Sequence, residues 1–474
     1  MNPLFDRHYQ FHVLPKYSPS KNIENIDNLD TKNNIYHINN RLDLKNISVY
    51  SIDPEGCEDA DDAFSIWEEE DNLFLAIHIA DPTHYFSPHS DIFNTICENV
   101  ITHYPSGNKP IHLMPKNILD KANLMIKDKL FQEQNAISII TQIDKNTYLP
   151  IGNIDIKCTK IMLNKENSLS YTNCYPNDNI SEFFNRDRDI SIALKIGNSL
   201  RTNRNTVGKL LSNLDKSYIQ FKDNMFSLKK DTKEEKKLKQ MIEEFAIFAN
   251  TCVGKYLQIK LEGLGIFRSC ETEHILDNDI KDGNKLMDMI IEKGIQANYI
   301  NNIKRHDLVG MPVYCHFTSP LRRATDCVCH FLLKSIILNI PSPFTKLYLD
   351  KLAQKFDRVT KIERKLQYYD NKFRIIEVID NILRDPLNNV FINVKYNGYT
   401  GLFLNLMIDE IIVNNTTYNI SLSYCIRIPG YQFIRFWETF RKATIKINSV
   451  NIPLQFDEGS IPDLDVFVIK PNFT

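Results

Sequence analysis

The alternation of apolar and polar positions changes sharply near residue 46. Residues 1–44 are polar and Asn-rich with weak periodicity, and read as an N-terminal arm or reduced subdomain. From there the pattern predicts strands over 47–52, 63–67 and 73–79, with the charged run 68–72 as a hairpin turn between the last two. Leu238, Met241, Ile242, Phe245, Phe248, Ala249, Cys252 and Tyr256 recur at helical spacing and predict a helix over 236–259. A second helix is predicted from Pro320, with Thr318 or Ser319 as its cap, and a third, highly charged one over 348–379, ending before Asp385-Pro386. After 388 short strands are predicted over 390–396, 402–407, 410–413, 424–427 and 444–448, the texture of a small β-barrel. The order of elements gives an α+β chain: an arm over 1–44, a main domain over 45–380 and a C-terminal β-domain over 388–474.

Composition narrows the picture only a little. At 474 residues, with 43% hydrophobic and 24% charged side chains, the chain can bury a large core. A formal charge of −2 excludes polyelectrolyte behaviour, so any nucleic-acid affinity must come from a local basic surface. Ten scattered cysteines and the absence of an apolar N-terminal run suggest free thiols and an intracellular, cytoplasmic protein. The apolar stretch 327–340 is interrupted by His330 and Lys334 and is too short to span a membrane.

The chemistry concentrates in Ser51-Ile-Asp-Pro-Glu-Gly-Cys-Glu-Asp-Ala-Asp-Asp-Ala-Phe-Ser65, which crowds Asp53, Asp59, Asp61 and Asp62 together with Glu55 and Glu58. Like charges this close repel unless a cation neutralises them, and hard oxygen ligands suit Mg²⁺ or Mn²⁺. A solvated acidic turn is the plain alternative. A helix–loop–helix calcium site fails, because Ala63 and Phe64 stand where a ligand and the turn glycine belong. Asp61 and Asp62 are adjacent, so only a turn lets both serve one metal centre.

A second constellation is His316-Phe-Thr-Ser-Pro-Leu-Arg-Arg-Ala-Thr-Asp326. A helix opened by Thr-Ser-Pro offers free N–H groups to an anion, and Arg322 and Arg323 would sit in its first turn, where the dipole disfavours cations. That reads as a phosphate clamp, or equally as a surface Arg pair bridged by Asp326. Cys315, His316, Cys327, Cys329 and His330 match no zinc spacing and read as core thiols and histidines.

Together these segments resemble the ribonuclease II and ribonuclease R family, whose catalytic unit is the RNB domain. The resemblance covers about residues 46–378. It rests on Ile52-Asp-Pro-Glu-Gly-Cys-Glu-Asp-Ala-Asp-Asp-Ala63, His78-Ile-Ala-Asp-Pro-Thr-His-Tyr85, Tyr104-Pro, Leu113-Met-Pro115, Glu243-Glu-Phe-Ala-Ile-Phe-Ala-Asn250 and the His316 to Asp326 stretch. It implies a mixed sheet flanked by helices around an RNA channel, followed by an S1/OB-like barrel. It also implies a Mg²⁺-assisted 3′-to-5′ hydrolytic exoribonuclease that releases nucleoside 5′-monophosphates from single-stranded RNA.

By motif, Asp53, Asp59, Asp61 and Asp62 take the acidic catalytic and metal positions, with Asp53 and Asp62 the expected direct ligands and Asp61 the most mutation-sensitive. Arg322 steadies the scissile phosphate, and His316, Ser319 and Arg323 accompany it on the RNA. Tyr104 positions the 3′-terminal nucleotide, Tyr171 lies near the channel, and Glu244 meets the 2′-hydroxyl region. The chain departs from the family pattern in several places. Some 45 residues cannot hold two cold-shock barrels before the catalytic unit and barely one reduced barrel, which suggests protein partners for RNA capture. Ala324 stands where tyrosine is usual, and Ile266-Phe-Arg-Ser-Cys270 lacks the histidine or proline common after its arginine. Tyr396, Tyr399 and Phe403 are the stacking candidates of the C-terminal domain. An RNA-binding pseudoenzyme or structural subunit is the main alternative reading, and an endonuclease or DNA nuclease the next.

Overall fold

The computed structural model describes residues 2–21, 34–126, 128–176, 185–204, 210–211, 214, 217–272, 283–400, 403–427, 437–439, 442–457, 459–466 and 472–473. Helix α1 (Pro3–His12) opens the chain, capped by Asn2 with proline at its first position. Strand β1 (Leu42–Asp43) precedes β2 (Ser51–Asp53), β3 (Asp62–Glu69) and β4 (Asn72–Ala80). The last two are joined by Glu70 and Asp71, both at positive φ, as a two-residue hairpin turn requires. Helices α2 (Asp91–Asn99) and α3 (Lys116–Ala122) follow, then the long strands β5 (Phe131–Ile143) and β6 (Pro150–Asn164) and the short β7 (Ser168–Ser170). The main sheet runs β1-β6-β5-β4-β3, antiparallel except for the β1–β6 pair, while β2 pairs in parallel with β7. Ser51–Asp53 is thus all that remains of the strand expected over 47–52.

Helix α4 (Asn185–Asn203) and the hairpin β8 (Ser217–Lys222) and β9 (Met225–Lys230) lead into α5 (Lys233–Lys260). Thr232 and Glu235 close a capping box at the start of α5, and Leu238, Met241, Phe245, Ala249 and Cys252 bury its apolar stripe. Strand β10 (Phe267–Ser269), α6 (Gly283–Glu292) and β11 (Asn298–Ile300) precede α7 (Ala324–Leu338) and α8 (Lys346–Leu383). The sheet order of the C-terminal region is β14-β13-β12-β15-β16, built from β12 (Val390–Thr400), β13 (Phe403–Val413), β14 (Thr416–Arg427), β15 (Lys442–Asn451) and β16 (Asp463–Val466). Strand β17 (Asn472–Phe473) pairs with β15, and among the described residues the two ends of the path do not join. Closure into the expected barrel is therefore not seen. Tyr396 packs partly buried against the core of this sheet, whereas the side chains of Tyr399 and Phe403, and Leu402 altogether, lie outside the described residues.

Two apolar cores result, and α8 spans both. Leu349, Leu352, Ala353 and Phe356 enter the core of the main sheet, while Leu366, Phe373, Ile376 and Ile379 enter that of the C-terminal sheet. At 38 residues the helix is about 57 Å long, enough to tie the two together. The first residues of the chain belong to both cores. Phe5, Tyr9, Val13 and Tyr17 pack into the C-terminal core, whereas Tyr36 and Ile38 enter the main one. Arg41, with its side chain 1% exposed, pairs with fully buried Asp81 at 2.6 Å, and Lys334 reaches the same carboxylate at 2.7 Å. The N-terminal segment is woven into the fold and is no free arm. Among the described residues no helix is long and apolar enough to cross a membrane.

Candidate active site

The acidic segment is a closed loop. Tyr50 and Phe64 exchange backbone hydrogen bonds at 2.8 and 2.9 Å, which brings its two ends together. At its tip Pro54-Glu55-Gly56-Cys57 makes a turn closed by Cys57 N to Pro54 O at 3.1 Å, with Gly56 at φ +82°. A type II turn demands positive φ at that third position, which glycine adopts without strain. On its return side the loop is fixed from outside. Asn123 accepts from Ala60 N at 3.0 Å and donates to Glu58 O at 2.7 Å, while Asp61 O accepts from Ala80 N at 2.8 Å.

Within this frame the four aspartates do different things. Asp61 is 3% exposed, and its oxygens accept from Leu321 N at 2.7 Å and from Arg322 Nε at 3.0 Å. Burial pushes its carboxyl up while Arg322 pulls it down. Both facing atoms are N–H donors, so each oxygen must act as an acceptor, which is the ionised form. Asp59 accepts from the Tyr104 hydroxyl at 2.5 Å, and Cys57 lies between it and Asp53 with Sγ 3.7 and 3.8 Å from their oxygens. Asp53 keeps a buried Oδ2 with no hydrogen-bond partner. Its carboxyl is pushed up to about 7, first by burial and then by the charges of Asp62 and Asp59. That of Asp62 rises to about 6, mainly by burial. Tyr171, whose N–H reaches Asp53 O at 3.3 Å, has its phenol raised by burial and by Asp62 and Asp53.

The arginine stretch arrives from 260 residues away in sequence, and its local structure differs from expectation. The helix begins at Ala324 rather than Pro320, and Arg323 is its N-cap in extended backbone (φ −138°, ψ 125°) without a side-chain cap bond. Residues 319–323 form a tight turn in which Ser319 O accepts from both Arg322 N and Arg323 N. Arg322 O then accepts from Thr102 N and Val100 O from Ala324 N, so the stretch pairs alongside residues 100–102. The arginines therefore stand at and before the helix N-cap rather than in its first turn, and Arg323 meets the acidic Asp326 of that turn. Asn250 on α5 organises the approach by accepting from Phe317 N at 2.8 Å and Thr318 N at 3.3 Å while donating to the Tyr314 hydroxyl.

Arg322 is gripped by Asp61 and by Ser319 Oγ at 3.1 Å, with 47% of its side chain exposed. A guanidinium has five donors, so most of this one remains for an external acceptor. Ser319 itself is 3% exposed and serves as a holder of Arg322 rather than as a surface for RNA. Arg323 turns the other way, to Asp326 at 2.9 Å. Glu244 is not brought to the aspartates. It pairs with Arg204 at 2.6 Å and lines a separate, mostly apolar cavity of about 420 Å³ with Ile156, Phe248 and Met311, its carboxyl raised to about 7 by burial. The resemblance drew attention to Glu244, yet Asn250 from the same quoted motif is the residue that touches the site. Asp326, expected as the acid bridging the arginine pair, bonds Arg323 while Arg322 goes to Asp61 and Ser319, and the meeting of Arg41 and Lys334 on Asp81 carried no signal short of the tertiary structure.

Among the described residues no three His, Cys, Asp or Glu side chains converge as a ready-made metal cage. The donor set still fits Mg²⁺, which is held by one or two carboxylates and completes its shell with water and substrate phosphate. Asp53 and Asp62 have the raised, mutually repelling carboxyls that a cation would relieve, and Asp53 has the unpartnered oxygen.

The family model of the RNB domain matches residues 41–277 and 271–339. Human exosome complex exonuclease RRP44 is 26% identical over 337 residues, covering 62% of this chain and 34% of that protein. Exoribonuclease 2 of Buchnera aphidicola subsp. Cinara cedri is 26% identical over 399 residues, covering 70% of this chain and 57% of the relative. The chain thus spans between a third and three fifths of these relatives. Among solved structures, Mycoplasma genitalium RNase R in complex with ribose methylated single-stranded RNA superposes with a TM-score of 0.65 at 16% identity, covering 90% of this chain and 72% of that one. Yeast Ssd1, a pseudonuclease, gives 0.58 at 16% identity, covering 77% and 49%.

Proposed function

The chain belongs to the RNB domain family, and we propose that it is a 3′-to-5′ hydrolytic exoribonuclease. In this reading it acts on single-stranded RNA, uses Mg²⁺ (with Mn²⁺ as a substitute) and releases nucleoside 5′-monophosphates. One observation carries the reading. The Arg322 guanidinium is fixed by Asp61 and Ser319 with its remaining donors free, beside the half-buried carboxylates of Asp53 and Asp62.

Hydrolysing a phosphodiester requires charge stabilisation on a phosphate whose negative charge grows in the transition state. Arg322 supplies it in a preorganised form, because its orientation is set before substrate arrives. Asp53 and Asp62, with Asp59 beside them, are the residues that would hold the metal, and Asp61 acts through Arg322. When bound, the metal supplies a further positive charge and an activated water. The Tyr104 hydroxyl, donated to Asp59, keeps that carboxylate oriented and leaves the ring as a wall for the terminal nucleotide. Tyr171 is the second such wall. The exosome membership in the name of one relative makes protein partners for RNA capture a reasonable extension, and the C-terminal sheet is the part of this chain suited to an S1-like role.

End-labelled single-stranded RNA incubated with Mg²⁺, with and without chelator, tests the proposal. Chelator-sensitive release of labelled mononucleotide from the 3′ end is expected. The likeness to a pseudonuclease favours one second reading, a binding-only protein. Tight RNA binding with no product under either metal establishes it. A ladder of internal cuts, or equal cleavage of DNA, points to an endonuclease or DNA nuclease.

A further inference from the structure

Helix α8 meets the site through residues 103–106, the stretch that carries Tyr104. Glu363, Asp370 and Arg374 follow one another at i, i+7 and i+11, so they share one stripe of the helix, and all three are buried. Glu363 meets His103 Nδ1 at 2.6 Å on one side of the tyrosine. On the other side Asp370 accepts from Ser106 N at 2.8 Å, and Arg374 Nη2 donates to Ser106 O at 3.0 Å. The backbone N–H and C=O of a single residue are thus held by two charged side chains one helical turn apart. The turn around Ser106 is closed by Asn108 N to Pro105 O at 3.1 Å, with Gly107 at φ +73°. A Cβ on Gly107 would come within 2.5 Å of the Phe226 ring, so the turn lies directly against β9.

The clamp is itself assembled from distant parts of the chain. The Tyr17 hydroxyl donates to Asp370 at 2.7 Å. The Arg374 guanidinium lies 3.4 Å over the Tyr9 ring and 4.2 Å over the Phe226 ring, and its Nη1 bonds Glu377 at 2.6 Å. A Pro-Ser-Gly-Asn sequence forms such a turn by its own conformational preferences, whereas burying a carboxylate and a guanidinium is costly. Their part is therefore to place the turn rather than to make it. We propose that Asp370 and Arg374 are positioning residues for the reaction. By fixing Ser106 they set the Tyr104 ring as the wall for the 3′-terminal nucleotide and hold its hydroxyl on Asp59. The inference rests on the proposed function for the role of that wall. Ser106 is two residues from Tyr104, so any displacement of the turn passes straight to the ring. Through this one peptide the N-terminal segment and the helix that carries the C-terminal sheet both act on the site.

Arg374→Lys tests it, because the variant keeps a cation for Glu377 but has one nitrogen where the guanidinium uses two. Single-turnover release from labelled single-stranded RNA at saturating Mg²⁺ should slow by about ten- to a hundredfold. In a Tyr104→Ala background the same substitution should cost less than about twofold, since no ring is left for the turn to place. Equal losses in the two backgrounds would show that Arg374 only supports the fold, and would overturn the inference. Tyr17→Phe removes a single hydroxyl from Asp370 and should follow the same pattern more weakly, which keeps the test open if Arg374→Lys does not fold. RNA ending in a 3′ 2-aminopurine, bound in chelator where no cleavage occurs, reads the placement apart from catalysis. Wild type should quench the base by stacking, Tyr104→Ala should not, and Arg374→Lys should quench it only in part. Full quenching and a wild-type rate in Arg374→Lys refute the inference. A wild type that quenches the base yet releases no mononucleotide refutes the enzymatic reading and leaves the placement standing. One that releases mononucleotide without quenching refutes the placement alone, and one that does neither refutes both.

Discussion

Asp61→Asn separates an arginine anchor from a metal ligand. The substitution preserves shape but leaves one acceptor where the structure uses two, since Leu321 N and Arg322 Nε each need an oxygen. If the amide oxygen serves Leu321, the amide N–H₂ faces the guanidinium, donor against donor. Arg322 then keeps only Ser319 Oγ. A hydrogen bond to a charged group is worth roughly 1.5–3 kcal/mol, and the 47% exposure of Arg322 puts its loss at the lower end. Ground-state RNA affinity should therefore fall by no more than about tenfold. The transition state suffers more, because a misplaced charge-stabilising donor typically costs about 10²–10³ in kcat. Single-turnover release of labelled nucleotide, titrated with Mg²⁺, reads both quantities. The expected result is a rate about 10²–10³ lower at saturating metal with an unchanged half-saturating Mg²⁺ concentration. Asp53→Asn, by contrast, should raise that concentration. If Asp61→Asn shifts the Mg²⁺ requirement as Asp53→Asn does, or slows release less than about tenfold, Asp61 does not work through Arg322.

Other consequences are as direct. The raised carboxyls of Asp53, about 7, and Asp62, about 6, lie above their unfolded values, so the stability they contribute is present at low pH and lost as pH climbs through that range. In chelator the Tm should fall between about pH 4 and pH 7, and added Mg²⁺ should raise it at about pH 8 but scarcely at about pH 5; an equal effect at both would show that no cation sits on these groups. Arg41→Ala takes one of two close cations from the buried Asp81 carboxylate, leaving Lys334 and the Thr83 hydroxyl, and should cost about 3–5 kcal/mol by urea unfolding, and a cost under about 1 kcal/mol would mean the N-terminal segment is peripheral. Asn250→Ala strips the acceptor from Phe317 N and Thr318 N, both buried, and should cost about 3 kcal/mol while slowing RNA release. Unchanged melting and unchanged rate together would remove Asn250 from the site.

How far the sequence could be read depended on whether a feature was local. The β3–β4 hairpin and α5 follow from alternation and helical periodicity, with the Glu70-Asp71 turn and the Thr232 capping box as local punctuation. The meeting of Asp61 with Arg322 was legible only through the family resemblance, because no periodicity relates residues 260 positions apart. The start of α7 was misread for a physical reason. Thr-Ser-Pro is a sound helix opening by propensity, but the backbone of Arg322 and Ala324 is claimed by residues 100–102, and that pairing overrides the local preference. The role of residues 2–21 and 34–44 was hidden for a similar reason. A weakly periodic segment shows nothing of its value when its partners, Asp81 and the Phe373 face of α8, lie far along the chain.

The division of labour between Asp61 and Asp62 follows from their adjacency. In extended backbone, neighbouring side chains leave on opposite faces, so one metal could claim both only if the chain turned between them. It cannot turn there. Asp62 opens β3 in register with Ile79, Ala80 N holds Asp61 O, and Leu124 N holds Ala60 O at 3.0 Å. These bonds lock the last residues of the loop into the sheet and send one carboxylate to the Leu321–Arg322 turn. Asp62 is left to share its field with Asp53. A strand edge has thereby given two identical side chains different settings, one anchoring a guanidinium and the other facing Asp53, where the proposed function would place the cation, and exchanging them would require shifting β3 by one residue. That shift would force Phe64 and Ile66 onto the buried face now filled by the smaller Ala63 and Ser65, which is why the register and the settings of the two aspartates are fixed together.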